Sequence, residues 1–218
     1  MDEFSLVQKV IIWAIPVLFA VTIHETAHGW VALQFGDRTA QMLGRLTLNP
    51  IKHIDPIGTI VVPALLATTT GLIFGWAKPV PINDRNLRRP QKDMAWVALA
   101  GPAANFVMAF FWSLVIVVGG SWNAALLYMG LVGVFINTIL MLLNLLPLPP
   151  LDGGRIVASM LPGPLAWNFS RIEPYGFIIL VALLYFGVIG MILWPLVIGF
   201  ISLLPIPYTA IELLRLIF

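Results

Sequence analysis

The pentapeptide HETAH, residues 24–28, places two imidazoles and a carboxylate inside an otherwise apolar stretch. Residues 10–23, just upstream, carry no charge. His24 and His28 are four apart, so on a helix both rings project from one face. That spacing suits two zinc ligands. Glu25 sits about 100° around the same helix, within reach of a metal-activated water as a general base. Ionisable side chains in an apolar span are costly and mark a functional site; the bland alternative is a polar cluster satisfied between helices. Catalytic zinc takes three protein ligands and an open position. Two candidates can supply the third. Asp152 lies in NLLPLPPLDGG, residues 144–154, among small and apolar neighbours, with only Arg155 nearby to pair its charge. Pro147, Pro149 and Pro150 break the helix before it and free backbone groups that must be satisfied by protein or in a cavity. Asp152 could instead cap the segment that follows. His53, the remaining histidine, lies in NPIKHIDPIG, residues 49–58, where an interfacial role is equally open.

The elements that must carry these residues are membrane elements. Of 218 residues, 60% are hydrophobic and 10% charged, against about 45–50% and about 25% in a soluble domain. So much apolar surface cannot be hidden within a chain of this size and must face lipid. Intrinsic disorder, a secreted disulfide scaffold and a nucleic-acid binder are excluded as main readings. There is no cysteine, hence no thiolate metal site, and the net charge of +2 says little about partners. The length suits one domain over residues 1–218. Asp2 and Glu3 before the first apolar stretch, with no small-residue cleavage site after it, read as a retained span rather than a signal peptide.

Apolar stretches fall at about 6–35, 57–74, 94–118, 124–146, 176–193 and 195–218. The expected fold is an all-α polytopic membrane protein of five to six transmembrane helices. TAQMLGRLTL, residues 39–48, and GWAKPVPI, residues 75–82, look extended and allow a small membrane-associated β-sheet; ordinary solvated loops are the alternative. The 57–74 stretch is short and carries Pro63 and Gly71. If it enters the membrane and returns, His24 and Asp152 reach the same side, Lys9 stands alone, and the other eleven Lys and Arg residues share the opposite side. Six crossings would divide them nine against three. The positive-inside rule favours a re-entrant stretch, an external N-terminus and a site nearer the cytosol.

HETAH in one span and NLLPLPPLDGGR after another resemble the site-2 protease family of intramembrane zinc metalloproteases. That family carries HExxH in one transmembrane helix and N-x-x-P-x-x-x-L-D-G in another, matched here by Asn144, Pro147, Leu151, Asp152 and Gly153. AGPAAN, residues 100–105, resembles its G-P-x-x-N segment. The resemblance covers about residues 20–155. It implies one zinc ion per chain held by His24, His28 and Asp152, with Glu25 as catalytic base. It makes Asn144 a group that holds the substrate backbone or the developing oxyanion, and Asn105 an organiser of helix packing. The chain has no room for a PDZ or CBS domain.

The implied activity is hydrolysis of peptide bonds within or near transmembrane segments of membrane proteins, in a multi-pass protein of the cell membrane. Its partners are membrane-protein substrates and the lipid bilayer, with no nucleic acid and an open oligomeric state. The candidate strands could pair with a locally unwound substrate by β-augmentation, and water could pass Gly153 and Gly154. Rival readings are a membrane metal transporter and a catalytically inactive adaptor that binds membrane helices.

Overall fold

A computed structural model of the chain describes residues 4–70 and 75–218. In order, its α-helices are α1 (Leu6–Gln34), α2 (Thr39–Met42), α3 (Val62–Thr70), α4 (Pro90–Gly119), α5 (Ala124–Asn144), α6 (Asp152–Met160), α7 (Gly163–Ser170), α8 (Glu173–Tyr185), α9 (Val188–Ile201) and α10 (Ala210–Ile217). Local sequence sets the starts of the long ones. Ser5 and Gln8 form a capping box at the start of α1. Pro90 opens α4, where its missing N–H would have had no helical partner. The Asn123 side chain accepts from Ala125 and Leu126 at the start of α5.

With 29, 30 and 21 residues, α1, α4 and α5 are about 43, 45 and 31 Å long. Each can cross a hydrocarbon layer of about 30 Å. The three helices pack side by side. The His28 ring meets the Val97 carbonyl, while Asn105, eight residues further along α4, meets His24 and the Ala20 carbonyl. α1 and α4 are therefore antiparallel. Asn105 also meets Asn137, and Trp112 lies against Gly133, so α4 and α5 are antiparallel too. The end of α1, the start of α4 and the end of α5 consequently lie together. The opposite half of the bundle is filled by an apolar core, in which Ile12, Trp112, Ile116, Leu131 and Phe135 meet Val197 of α9 and Leu213 of α10.

Two expected spans take another form. The 176–193 and 195–218 stretches resolve into α8, α9 and α10, with α8 and α9 bent by 76°. Gly187, at φ +74°, makes that break, and the segment holding Pro205 and Pro207 separates α9 from α10. α8 and α9 are each about 20 Å long and cross a membrane only as one bent pair. By length and composition the described residues hold three spanning helices, or four if that pair counts as one. This corrects the expectation of five to six.

No strand occurs among the described residues, which corrects the expected β-sheet. Within 39–48, the Asp37 carboxylate accepts the Thr39 N–H and starts a helical turn, and Gly44, at φ +61°, ends it. Segment 75–83 has no regular secondary structure and builds no ladder. Pro79 and Pro81 have no N–H, and those of Trp76, Lys78, Val80 and Asn83 go to Gly58 O, His53 O, Glu25 and Asp37. It therefore offers a substrate strand no regular row of donors.

The 57–74 stretch is helical over residues 56–70, and its remainder, 71–74, lies outside the described residues. Its two ends meet. The Trp76 N–H reaches Gly58 O at 3.0 Å, and the Thr59 hydroxyl donates to Trp76 O at 2.9 Å. The chain thus returns to the place it left.

Asp37, 1% exposed, ties this region to the end of α1. Its carboxylate accepts from the Thr39 N–H and hydroxyl, from Asn83 N–H at 2.7 Å and from the Asn86 amide at 3.0 Å. Burial pushes the carboxyl up, but bonds from Thr39, Asn86 and Asn83 outweigh that and hold it below the usual range. A depressed carboxyl stabilises the fold above its unfolded value of about 3.9, and that stability is lost as pH falls through the lower folded value. Asp37→Ala should lower local stability by about 1–3 kcal/mol, read as faster amide exchange over 83–86. Acidification should produce the same loosening in the wild type and add nothing further in the variant.

Candidate metal centre

His24 and His28 lie in the last third of α1, one turn apart, with ring centroids 4.6 Å apart and planes at 85°. Asp152 arrives from the first turn of α6. The turn after α5 brings it in, because Gly153 and Gly154 sit directly against the backbone of Leu145, Leu146, Leu148 and Pro149. A Cβ at Gly153 would lie 2.3 Å from the Leu145 carbonyl oxygen. These glycines are buried and pack closed, so they do not form the water opening expected there. Leu151 locks the turn in place from an apolar cluster with Leu180 of α8 and Ile189 of α9.

The three side chains converge. Asp152 Oδ2 is 3.2 Å from Nε2 of His24 and 3.2 Å from Nε2 of His28, and the two Nε2 atoms are 3.0 Å apart. Tetrahedral zinc with bonds of about 2.0–2.1 Å separates its ligand atoms by about 3.3 Å, which these spacings match. All three residues are buried, and they form a group whose ligand atoms could hold a metal ion.

Hydrogen bonding at the far side of each ring sharpens this. His28 Nδ1 faces the Val97 carbonyl at 2.7 Å, a pure acceptor, so it must carry the proton. His24 Nδ1 lies 2.6 Å from Asn105 Oδ1. The Asn105 amide nitrogen donates to Ala20 O at 3.2 Å and to Asn137 Oδ1 at 2.8 Å, so the oxygen faces His24 and again the ring donates. Neutral rings with Nδ1 protonated present bare lone pairs at Nε2. Two such lone pairs and a carboxylate oxygen then face one another, and Asp152 Oδ2 is buried without a hydrogen-bond donor. Three acceptors with no proton among them suit a cation, and two imidazoles with one carboxylate suit zinc. In the absence of metal, protons on the rings would have to take its place.

α4 makes room for this arrangement at Gly101. A Cβ there would lie 2.4 Å from His28 Nε2 and 2.6 Å from His24 Nε2.

The other sequence candidates lie around this group. Glu25 is half-buried, and its Oε2 accepts the Val80 N–H at 2.8 Å, so segment 75–83 is laid across α1 beside the histidines. Asn144 ends α5 and donates its amide to Leu140 O at 2.9 Å. His53 is not in the group. Its ring donates to Thr47 O at 2.9 Å, and Thr47 O also accepts the Thr26 hydroxyl. Arg155 reaches Glu173 at 3.9 Å rather than Asp152. Asp152 is the first residue of α6 and makes no capping bond. Asn105 joins helices as expected and also contacts His24. Sequence reasoning passed over Asn137, although an amide in the apolar run GVFINTIL carries the same signal as the histidines. Val97 acts through its main chain, so its residue type gives no signal.

The chain is 39% identical over 190 residues to the Bacillus subtilis (strain 168) protein named "Putative zinc metalloprotease YwhC", covering 84% of both chains. It is 32% identical over 170 residues to "Putative zinc metalloprotease Rip2" of Mycolicibacterium smegmatis, covering 77% of this chain and 64% of that one. It is 28% identical over 137 residues to the protein of the same name from Mycobacterium tuberculosis H37Rv, covering 62% and 52%. No family model and no solved structure matches the chain.

Gly101→Ala would put a methyl group among the ring nitrogens. It should lower zinc affinity by about tenfold or more while helix content stays unchanged, as read by metal analysis and circular dichroism.

Proposed function

This chain belongs to the zinc metalloprotease family represented by YwhC, and we propose that it is an intramembrane peptidase of the site-2 type. The reading has it cleave peptide bonds within or near the transmembrane segments of other membrane proteins. What carries it is one observation: His24, His28 and Asp152 converge, buried, within a bundle whose long helices are apolar enough to lie in lipid. The whole chain, residues 1–218, acts as one protease domain in this reading.

His24 and His28 Nε2 and the Asp152 carboxylate would hold one zinc ion, leaving a fourth position open. Bound there, zinc would supply Lewis acidity toward a scissile carbonyl and lower the pKa of a water. Glu25 serves as the base. A carboxylate has about four acceptor sites, so the bond from Val80 aims the group and leaves capacity for a proton. Glu25 takes that proton from the attacking water and returns it to the leaving amine. The Asn144 amide has a second N–H beyond the one given to Leu140, which can meet the substrate backbone or the developing oxyanion. A helical substrate must unwind locally before its carbonyl is accessible.

Charge supports a cytosolic placement of the site. The loop between α1 and α4 and the α6–α7 region, which hold most of the Lys and Arg residues, lie at the same end of the bundle as the cluster. In a multi-pass protein of the cell membrane that end faces the cytosol. The chain leaves that end at Gly58 and is back beside it at Trp76, which suits a re-entrant segment. Parity agrees, since three crossings by α1, α4 and α5 then bring the histidines and Asp152 to one depth.

Purified protein with a panel of single-span substrates tests the reading. Glu25→Gln should retain zinc and lose cleavage by about 10²–10⁴-fold. Asp152→Ala should lose both. Cleavage that survives in Glu25→Gln would refute the assigned base. Metal transport by the same variant in vesicles would favour a transporter instead.

A further inference from the structure

The two histidines are anchored in different ways. His28 Nδ1 donates to a main-chain carbonyl, Val97 O, which no substitution of a side chain removes. His24 Nδ1 donates to a side-chain amide, Asn105 Oδ1. An amide can turn over and present its nitrogen instead. With Asn105 reversed, His24 would face a donor, its proton would move to Nε2, and its lone pair would point away from Asp152.

Asn137 prevents this reversal. Its Oδ1 accepts from Asn105 Nδ2 at 2.8 Å, and its own Nδ2 donates to Gly133 O at 2.8 Å, one turn back on α5. The Gly133 carbonyl can only accept. Donor and acceptor roles are therefore fixed from that end: Asn137 nitrogen to Gly133 O, Asn105 nitrogen to Asn137 oxygen, His24 Nδ1–H to Asn105 oxygen. The chain of bonds crosses from α5 through α4 to α1. Asn105 is 1% exposed and Asn137 0%, so water does not substitute for a missing link. Ala20 O also accepts from Asn105 Nδ2, but at 3.2 Å, the longer of the two bonds.

We propose that Asn137 is a positioning residue for the metal centre: it fixes the orientation of the Asn105 amide and thereby keeps the His24 Nε2 lone pair turned toward His28 and Asp152. This rests on the metal-centre reading above. It adds a role for a residue outside the three sequence motifs, one that touches neither metal nor substrate.

The test uses full-length protein and Zn²⁺ titrated against a chromophoric chelator, with apoprotein melting and ¹⁵N imidazole shifts as second readouts. Asn137→Leu removes the acceptor and should weaken zinc binding about 10–100-fold. In the zinc-free variant the Nδ1 of His24 should lose its uniform protonation. Asn137→Asp, as the neutral acid, can accept from Asn105 through its carbonyl and donate to Gly133 O through its hydroxyl, and should bind zinc within a few-fold of wild type. In an Asn105→Leu background, Asn137→Leu should add no further loss. A role in packing alone would lower the melting temperature of the apoprotein and leave zinc affinity as it was; that result overturns the proposal. So does a bare Nδ1 on His24 in the zinc-free wild type, a measurement that needs no variant to fold. Unchanged zinc binding in His24→Ala would instead overturn the metal centre itself. Loss in His24→Ala with none in Asn137→Leu overturns only the role of Asn137.

Discussion

Two imidazole nitrogens and a carboxylate oxygen, buried within 3.2 Å of one another, are the constraint on which the rest of the structure depends. Such a group is repulsive in a medium of low dielectric, where an unpaired polar atom costs most. It persists only if rigid elements hold each ligand atom and either a metal ion or protons on the rings satisfy them. The surroundings of the cluster follow from that demand. The Nδ1 of each ring is committed outward, one to Val97 O and one to Asn105. Gly101 lets α4 press close enough to supply both partners. The buried turn through Gly153 and Gly154 delivers the carboxylate on a short lever rather than a loose loop.

Much of the site was legible because lipid removes the ordinary explanations for polar residues. HETAH in a soluble surface helix is a weak signal, whereas the same residues within an apolar run need a partner. Asp152 was legible for a related reason, since it follows three prolines with only Arg155 nearby to pair its charge. Asn137 carries that signal too, but it is uncharged and lies outside the segments that resemble the family, so nothing in its type or spacing sets it apart. Val97 was beyond reach, and Gly101 stood out only as part of the G-P-x-x-N resemblance, with no role attached. One contributes a carbonyl that every residue has, and the other contributes the absence of an atom at a place defined only by how two helices cross.

The fold was legible where periodicity was long and failed where it was short. α1, α4 and α5 stand out as runs exceeding 20 residues. Composition alone could not show that Gly187 would turn a continuous apolar run through 76°. The strand-like segments misled for a local reason. Asp37 and Gly44 supply the start and stop of a helical turn within 39–48, and the N–H groups of 75–83 are drawn to four separate acceptors. Those acceptors include Glu25 and Asp37, so the segment is organised by carboxylates of α1 and its exit rather than by a neighbouring strand.

The converging side chains are made at well-separated times. His28 is made 124 residues before Asp152. At about 5–20 residues per second, roughly 6–25 s separate them on the ribosome. Throughout that interval the nascent chain carries both imidazoles but lacks the carboxylate, and α4 and α5 must be inserted before it can arrive. The three ligand atoms therefore cannot meet in the growing chain, and the cluster is complete only once the bundle is closed.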